Sequence, residues 1–475
     1  MTTAQRETTA QREAAAHDAV GARTSSPHGR TSRAAPRLAD EDATYWLLDR
    51  GLGWSVVLQL TWEIPGVLDP AVITAFADRL ARGALHRRVI VPRVAGARPS
   101  WVSAGGVLAP VVDVERVPSS ETHRWATDTL AHAALDAQAG RCWQLRAAVT
   151  ESGDTVLSLC ALHLVTDGRG LVTSARLALA SDGDEVAAEL STARPPTVVA
   201  DAFDALRQVR ASTVGLVRAA RRRRGGSAST WDPRPPRPAP ATRAPSAAPR
   251  WATVTVSARE WDAVATSHGG TPNTLFIAVI AGLLRSGGYA PSGVPLKVGV
   301  PVDRRSGSDD NRANATAGVS IILTGDPVPS GDLSDIRAAC KDAYTRLADG
   351  LRASTAHLQP LVWLLPPRLL VSAAASGSGM PDAVVSNLGD VDDAVLDVGG
   401  HRARRLAFRG MAQGVDPARS HRFGDGVQSW LLRTSDQVTF SVLAFDESVF
   451  ADDKALRALL ADELAAWGLT TSDIW

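Results

Sequence analysis

Apolar and polar positions along the chain switch repeatedly between a period of two and a period near 3.6, so strands and helices are expected to alternate throughout. Asp40 to Leu52 predicts a short helix and Trp54 to Glu63 a strand. Asp69 then caps a helix with Pro70 at its first position, running to about Arg82 with Val72, Ile73, Phe76 and Leu80 inward. Arg88 to Val94 and Val107 to Val114 predict strands, and a helix starts at Ser119-Ser120 and runs to about Gln138. Cys142 to Thr150 is set to pair with Leu157 to Leu164 through the turn Glu151-Ser152-Gly153-Asp154. In that second strand Leu157, Leu159, Ala161 and His163 share one face, and Ser158, Cys160, Leu162 and Leu164 the other. It ends at Thr166-Asp167-Gly168, a tight turn before the helical stretch Leu171 to Ala180.

The same alternation returns after a long helical stretch, Asp201 to Arg224. Arg250 to Val256 predicts a strand and Ala258 to His268 a helix. Thr271-Pro272-Asn273 opens a helix over Thr274 to Arg285 that is apolar on nearly every side and stops at Gly287-Gly288, so it belongs in the interior, between sheets. Strands are expected at Leu296 to Asp303, Ala317 to Thr324, Ala383 to Ser386, Arg405 to Phe408, Gln428 to Arg433 and Val438 to Phe445. Amphipathic helices are expected at Asp332 to Ser354 and Asp452 to Trp467. Strands and helices recurring in both halves predict two α/β lobes.

Composition narrows this picture. A chain of 475 residues exceeds one ordinary core. Gly225 to Pro249, rich in Pro, Ala, Arg, Gly and Ser, cannot bury enough apolar surface to order itself. The expected organisation is a disordered N-terminal tail over 1–40, a first lobe over 41–224, a linker over 225–250 and a second lobe over 251–475. With 51 Lys and Arg against 50 Asp and Glu, the net charge of +1 provides no global field to recruit nucleic acid. Cys142, Cys160 and Cys340 are too scattered for a disulfide framework or a zinc site, which fits a reduced cytoplasm. The apolar stretch Leu358 to Ala375 is interrupted by Pro360, Pro366, Pro367 and Arg368, so it reads as surface-seeking or tunnel-lining rather than membrane-spanning. The run Arg221-Arg222-Arg223-Arg224 either meets donor phosphates or an anionic lipid surface, or is a solvated helix end.

One side chain stands out chemically. His163 ends a buried strand with a carboxylate four residues later, and an imidazole near its ordinary pKa of about 6.5 takes a proton at neutral pH without prior activation. Making an ester or amide from an activated acyl group needs such a base. Asp167 is better placed to fix the loop, by pairing with an Arg from elsewhere, than to join His163 in a dyad.

Four further segments extend the pattern: Leu135-Asp136 with Cys142-Trp143-Gln144-Leu145, Thr271-Pro272-Asn273-Thr274-Leu275, Pro301-Val302-Asp303-Arg304-Arg305, and Ser386-Asn387-Leu388-Gly389. With His163 to Gly168 as H-x-x-x-D-G, the chain resembles the thioester-dependent acyltransferases. These include chloramphenicol acetyltransferase, condensation domains, wax ester synthases and polyketide-associated acyltransferases. The resemblance implies two chloramphenicol-acetyltransferase-like α/β lobes arranged in a V around a central tunnel. It implies that His163 is the base, that Asp167 pairs with Arg305, that Gly168 leaves passage beside the His, and that Asn387 lies near the reacting centre.

Leu162 replaces the first of the two adjacent histidines common in part of this group, Thr274 stands where wax ester synthases carry Asp, and their S-N-x-P-G-P ending is missing. These departures weaken a wax or triacylglycerol assignment and leave His163 untouched. The expectation is an acyltransferase that uses acyl-CoA or acyl-phosphopantetheine as substrate, with no bound cofactor or metal. An alcohol or amine is the acceptor; an acyl carrier protein and a peripheral lipid contact are further partners. The alternative is a catalytically silent module that binds a carrier protein or lipid.

Overall fold

The computed structural model describes residues 34–180, 193–224, 249–306, 310, 312–325, 329, 331–349, 360–366, 369–370, 381–415 and 426–474. The expected tail as far as residue 33, the linker from 225 to 248 and half of 358–375 lie outside them. The strands of the first half are β1 (Ser55–Ile64), β2 (Arg87–Ile90), β3 (Ser100–Ser103), β4 (Val111–Val112), β5 (Trp143–Val149) and β6 (Thr155–Leu162). Those of the second are β7 (Arg250–Ser257), β8 (Leu296–Asp303), β9 (Thr316–Leu323), β10 (Ala383–Asp390), β11 (Asp397–Val398), β12 (His401–Arg402), β13 (Arg405–Gln413), β14 (Val427–Arg433), β15 (Gln437–Ala444) and β16 (Thr471–Ile474). The helices are α1 (Ala43–Leu52), α2 (Pro70–Arg82), α3 (Thr122–His132), α4 (Gly168–Leu179), α5 (Val198–Arg224), α6 (Ala258–Ser267), α7 (Pro272–Ser286), α8 (Ser334–Ala348) and α9 (Asp453–Ala466).

Two sheets carry the two lobes. The first runs β13-β1-β6-β5-β4 and the second β16-β7-β15-β14-β10-β8-β9. In the first, β6 is central, paired antiparallel to β1 (Val57 opposite Leu162) and to β5 (Trp143 opposite Ala161). All eight of its residues are buried, which is why both of its faces read as apolar.

The chain does not divide cleanly at residue 250. β13, from the second half, pairs along β1 from Ser55 opposite Gln413 to Glu63 opposite Arg405 and forms the edge of the first sheet. The first core therefore takes Leu388, Phe408, Trp430 and Leu443 from the second half. Assigning 251–475 wholly to the second lobe is corrected at this strand.

Two other expectations change. The strand over Val107 to Val114 shrinks to β4, because only Val111 and Val112 pair with β5; Val107 and Val114 are 71% and 99% exposed. Helix α7 is buried from Thr274 to Leu284, as its composition demands, but packs among α6, α8, α9 and β10 rather than between two sheets. Its entry is fixed by Thr271, whose hydroxyl accepts from Thr274 N, and by Pro272 in the first turn.

Cys142, Cys160 and Cys340 are buried. Burial pushes the Cys142 and Cys160 thiols up to about 12, so neither is a nucleophile at neutral pH. Among the described residues no helix is long and apolar enough to cross a membrane.

Candidate active site

The site is built where β6 ends. His163 is the first residue past the strand, and its peptide N–H continues the ladder by donating to Val56 O at 2.8 Å. Its ring is half-buried. Arg87, buried and lying over the Trp101 ring, donates from Nη2 to Val165 O at 2.7 Å and holds the backbone of the turn.

Asp167 ends that turn and begins α4. Its carboxylate accepts from Gly170 N at 2.9 Å, which caps the helix and places negative charge at the positive end of the helix dipole. Its other partners come from the β8–β9 connection and the first residue of β9 in the second lobe: Arg305 Nη1 at 2.8 Å, Ala315 N at 2.9 Å and Thr316 Oγ1 at 3.1 Å. Burial alone would raise this carboxyl, but the Arg305 charge and the hydrogen bonds outweigh it and hold it below the usual carboxylate range. A carboxylate with this many donors is a brace between lobes and has no lone pair to spare for proton relay.

Sequence reasoning missed two residues that contact the imidazole. Asn314, in the same β8–β9 connection, places Oδ1 3.1 Å from His163 Nδ1. The orientation of its amide follows from its surroundings: Nδ2 faces three acceptors, Asp42 Oδ1 at 2.9 Å, His163 O at 3.0 Å and Leu164 O at 3.3 Å. The oxygen is thus turned to the ring, and Nδ1 must carry the hydrogen. Nε2 is left as the basic nitrogen. Asp42 is itself buried, which raises its carboxyl despite the hydrogen bond from Asn314 and the charge of Arg87.

Tyr45, on the first turn of α1, occupies that nitrogen. Its hydroxyl lies 2.9 Å from Nε2, and its ring stacks on the imidazole with centroids 3.8 Å apart. Burial, reinforced by the charges of Asp167 and Asp42, keeps the phenol protonated, so it donates to Nε2. Burial also pushes the imidazole below its ordinary pKa, against its own carbonyl, Asp167 and Asn314, which pull it up. The ring is a neutral base at pH 7 with a hydroxyl already seated on it.

The remaining expected residues are placed differently. A Cβ on Gly168 would lie 2.5 Å from Leu388 Cδ2 and 3.3 Å from Phe408 Cζ, so the space that this glycine leaves is filled by second-half side chains and is not a passage. Gly170 is equally constrained, since a Cβ there would meet Thr166 Oγ1 at 2.5 Å and Arg305 Nη2 at 3.1 Å. Asn387 is engaged away from His163: its Oδ1 accepts from Gly389 N at 2.8 Å and its Nδ2 donates to Asn273 Oδ1 at 3.2 Å. Behind the Thr166–Gly170 turn lies a cleft of about 350 Å³, lined by Arg79, Arg87, Arg169, Arg305 and Arg312 with Asp303 and Asp310.

No family model and no curated protein sequence matches the chain. Solved structures do. The first condensation domain of the calcium-dependent antibiotic synthetase, in complex with a substrate analogue, is similar at a TM-score of 0.58 and 17% identity over 92% of this chain and 98% of that one. The chain has the condensation-domain fold. The wax ester synthase/diacylglycerol acyltransferase from Marinobacter aquaeolei VT8 shares it, at a TM-score of 0.53 and 18% identity over 91% of this chain and 100% of the other. So does polyketide synthase associated protein 5 from Mycobacterium tuberculosis, at 0.50 and 13% over 92% and 99%. In this condensation-type fold both lobes supply the site: the first brings His163, Asp167 and Tyr45, and the second brings Arg305 and Asn314.

Proposed function

We propose that the protein transfers an acyl group from a pantetheine-type thioester, on coenzyme A or a carrier protein, to a hydroxyl or amine. The observation that carries this reading is the hydrogen bond from His163 Nδ1 to Asn314, which leaves Nε2 as the base at a turn shared by the two lobes. An acceptor O–H or N–H takes the place of the Tyr45 hydroxyl on Nε2. As it attacks the thioester carbonyl, Nε2 receives its proton. The tetrahedral intermediate then breaks its C–S bond, and the imidazolium returns the proton to the leaving thiolate, with no acyl-enzyme. Asp167 and Arg305 hold the turn without touching the reacting atoms.

The fold shared with a wax ester synthase/diacylglycerol acyltransferase and with condensation domains supports acyl transfer as the general class. The arginine-lined cleft beside the same turn suits the phosphate end of a pantetheine donor, which would share Arg169, Arg305 and Arg312 with Asp303, Asp167 and Asp310. The Tyr45 contact also favours a second reading, a silent module whose base is permanently capped.

Incubation with a panel of acyl-CoA thioesters, with and without alcohols and amines, separates the two. Thiol release that depends on acceptor, matched mole for mole by an ester or amide in the mass spectrum, is expected. A wild type without acceptor-dependent release, with release gained in Tyr45→Phe, supports the capped, silent module.

A further inference from the structure

Helix α5 is inverted relative to an ordinary surface helix. The residues it turns toward the protein are polar: Asp201, Asp204, Gln208 and Ser212 are 2%, 6%, 8% and 3% exposed. Asp201 pairs with Arg37 at 2.7 Å and accepts from Arg93 N at 2.8 Å, while Asp204 takes Arg98 Nη2 at 2.9 Å and Arg98 N at 2.8 Å. The outward side mixes arginines with large apolar residues: Val199, Phe203, Leu206, Val209, Leu216 and Val217 are 64%, 65%, 64%, 48%, 49% and 46% exposed. Steps of three and four align Val199, Phe203, Leu206 and Val209, and Leu216 and Val217 flank the same arc two turns on.

The charges are sorted in the same way. Both acids of the helix face inward and are paired, whereas Arg207, Arg210, Arg218 and Arg221 are exposed, and the sequence adds three more arginines at the C-terminal end. An apolar stripe of this kind marks a binding face. A second copy seated on it would bring arginine against arginine with no outward acid to answer them. A helix of 27 residues is about 40 Å long, a length suited to lying along a plane.

We propose that α5 lies on an anionic membrane surface, with Phe203 and Leu206 entering the acyl boundary and Arg210, Arg218 and Arg221 meeting lipid phosphates. The helix does not span the bilayer. It docks the protein on it, independently of the chemistry at His163.

Co-sedimentation of the full-length protein with vesicles of phosphatidylcholine, alone or mixed with phosphatidylglycerol, tests this. Binding to the mixed vesicles is expected to be at least roughly tenfold tighter than to neutral ones, and to weaken with added salt. Phe203→Asp with Leu206→Asp abolishes it with an unchanged melting temperature, because both positions are exposed. Arg210→Glu with Arg218→Glu removes the preference for anionic lipid. Wild type that stays in the supernatant with both vesicles, or a double Asp variant that still sediments, overturns the proposal. So does a dimer in light scattering that the double Asp variant dissolves, since the occupant is then a second copy.

Discussion

Asn314 Oδ1 accepts from His163 Nδ1 across 3.1 Å, joining the second lobe to the one imidazole of the site. Asp42 fixes Asn314 from behind at 2.9 Å, so a carboxylate in the first lobe sets the tautomer of the base through an amide in the second. Asn314→Ala is expected to lower kcat/KM by at least about 10–100-fold, the loss seen when the hydrogen-bond partner that orients a metal-bound His is removed. Desolvation lowers His163 below its ordinary value, so the acid limb of the kcat/KM profile falls below about pH 6.5 in the wild type. Asn314 is one of the groups that raise the imidazole, so the variant's limb moves to still lower pH. A loss of rate with an unmoved limb contradicts a positioning role.

Arg305→Ala leaves the Asp167 carboxylate buried with its main-chain and Thr316 donors but no countercharge. A drop of about 3–5 kcal/mol in unfolding free energy is expected from urea titration. The pH dependence has a definite sign. The Asp167 pKa is depressed in the folded state, so its contribution is present above the unfolded value of about 3.9 and is lost as pH falls through the folded value. In Arg305→Ala this acid-side loss flattens. A variant that melts like the wild type shows that the pair adds nothing.

Gly168→Ala drives a methyl into Leu388, whose own surroundings are buried. A cost of about 1–3 kcal/mol is expected, as for overpacking elsewhere. Leu388→Ala in the same chain makes room, so the double variant is more stable than the two single losses summed. Strict additivity in the unfolding curves contradicts the contact.

Tyr45→Phe removes the hydroxyl on Nε2 and keeps the stacked ring. The acceptor then no longer competes with a hydrogen bond of about 0.5–1.5 kcal/mol, so its KM falls by up to about tenfold with kcat unchanged. A fall in kcat instead makes the phenol a proton carrier.

Much of the scaffold was legible because it is local. The β5–β6 hairpin, the turn at Asp167 and the uniformly apolar α7 each declare themselves within about 20 consecutive residues. The ion pair with Arg305 came from the family resemblance, since nothing in the spacing of Asp167 and Arg305 joins them. Asn314 and Tyr45 gave no signal: one lies in a connection without periodicity, the other on an ordinary helix, and each meets His163 across more than 100 residues of sequence. The transfer of β13 to the first sheet was equally hidden, because strand period does not encode partner choice. Helix α5 was readable as a helix, but not which side faces in; Arg37, Arg93 and Arg98 draw its aspartates inward.

The most direct measurement is the rate of thiol release from acyl-CoA with a saturating acceptor, in the wild type and in His163→Ala. Loss of the general base lowers the rate by about 10²–10⁴-fold in a protein that still folds. Equal rates in the two proteins contradict the role assigned to His163.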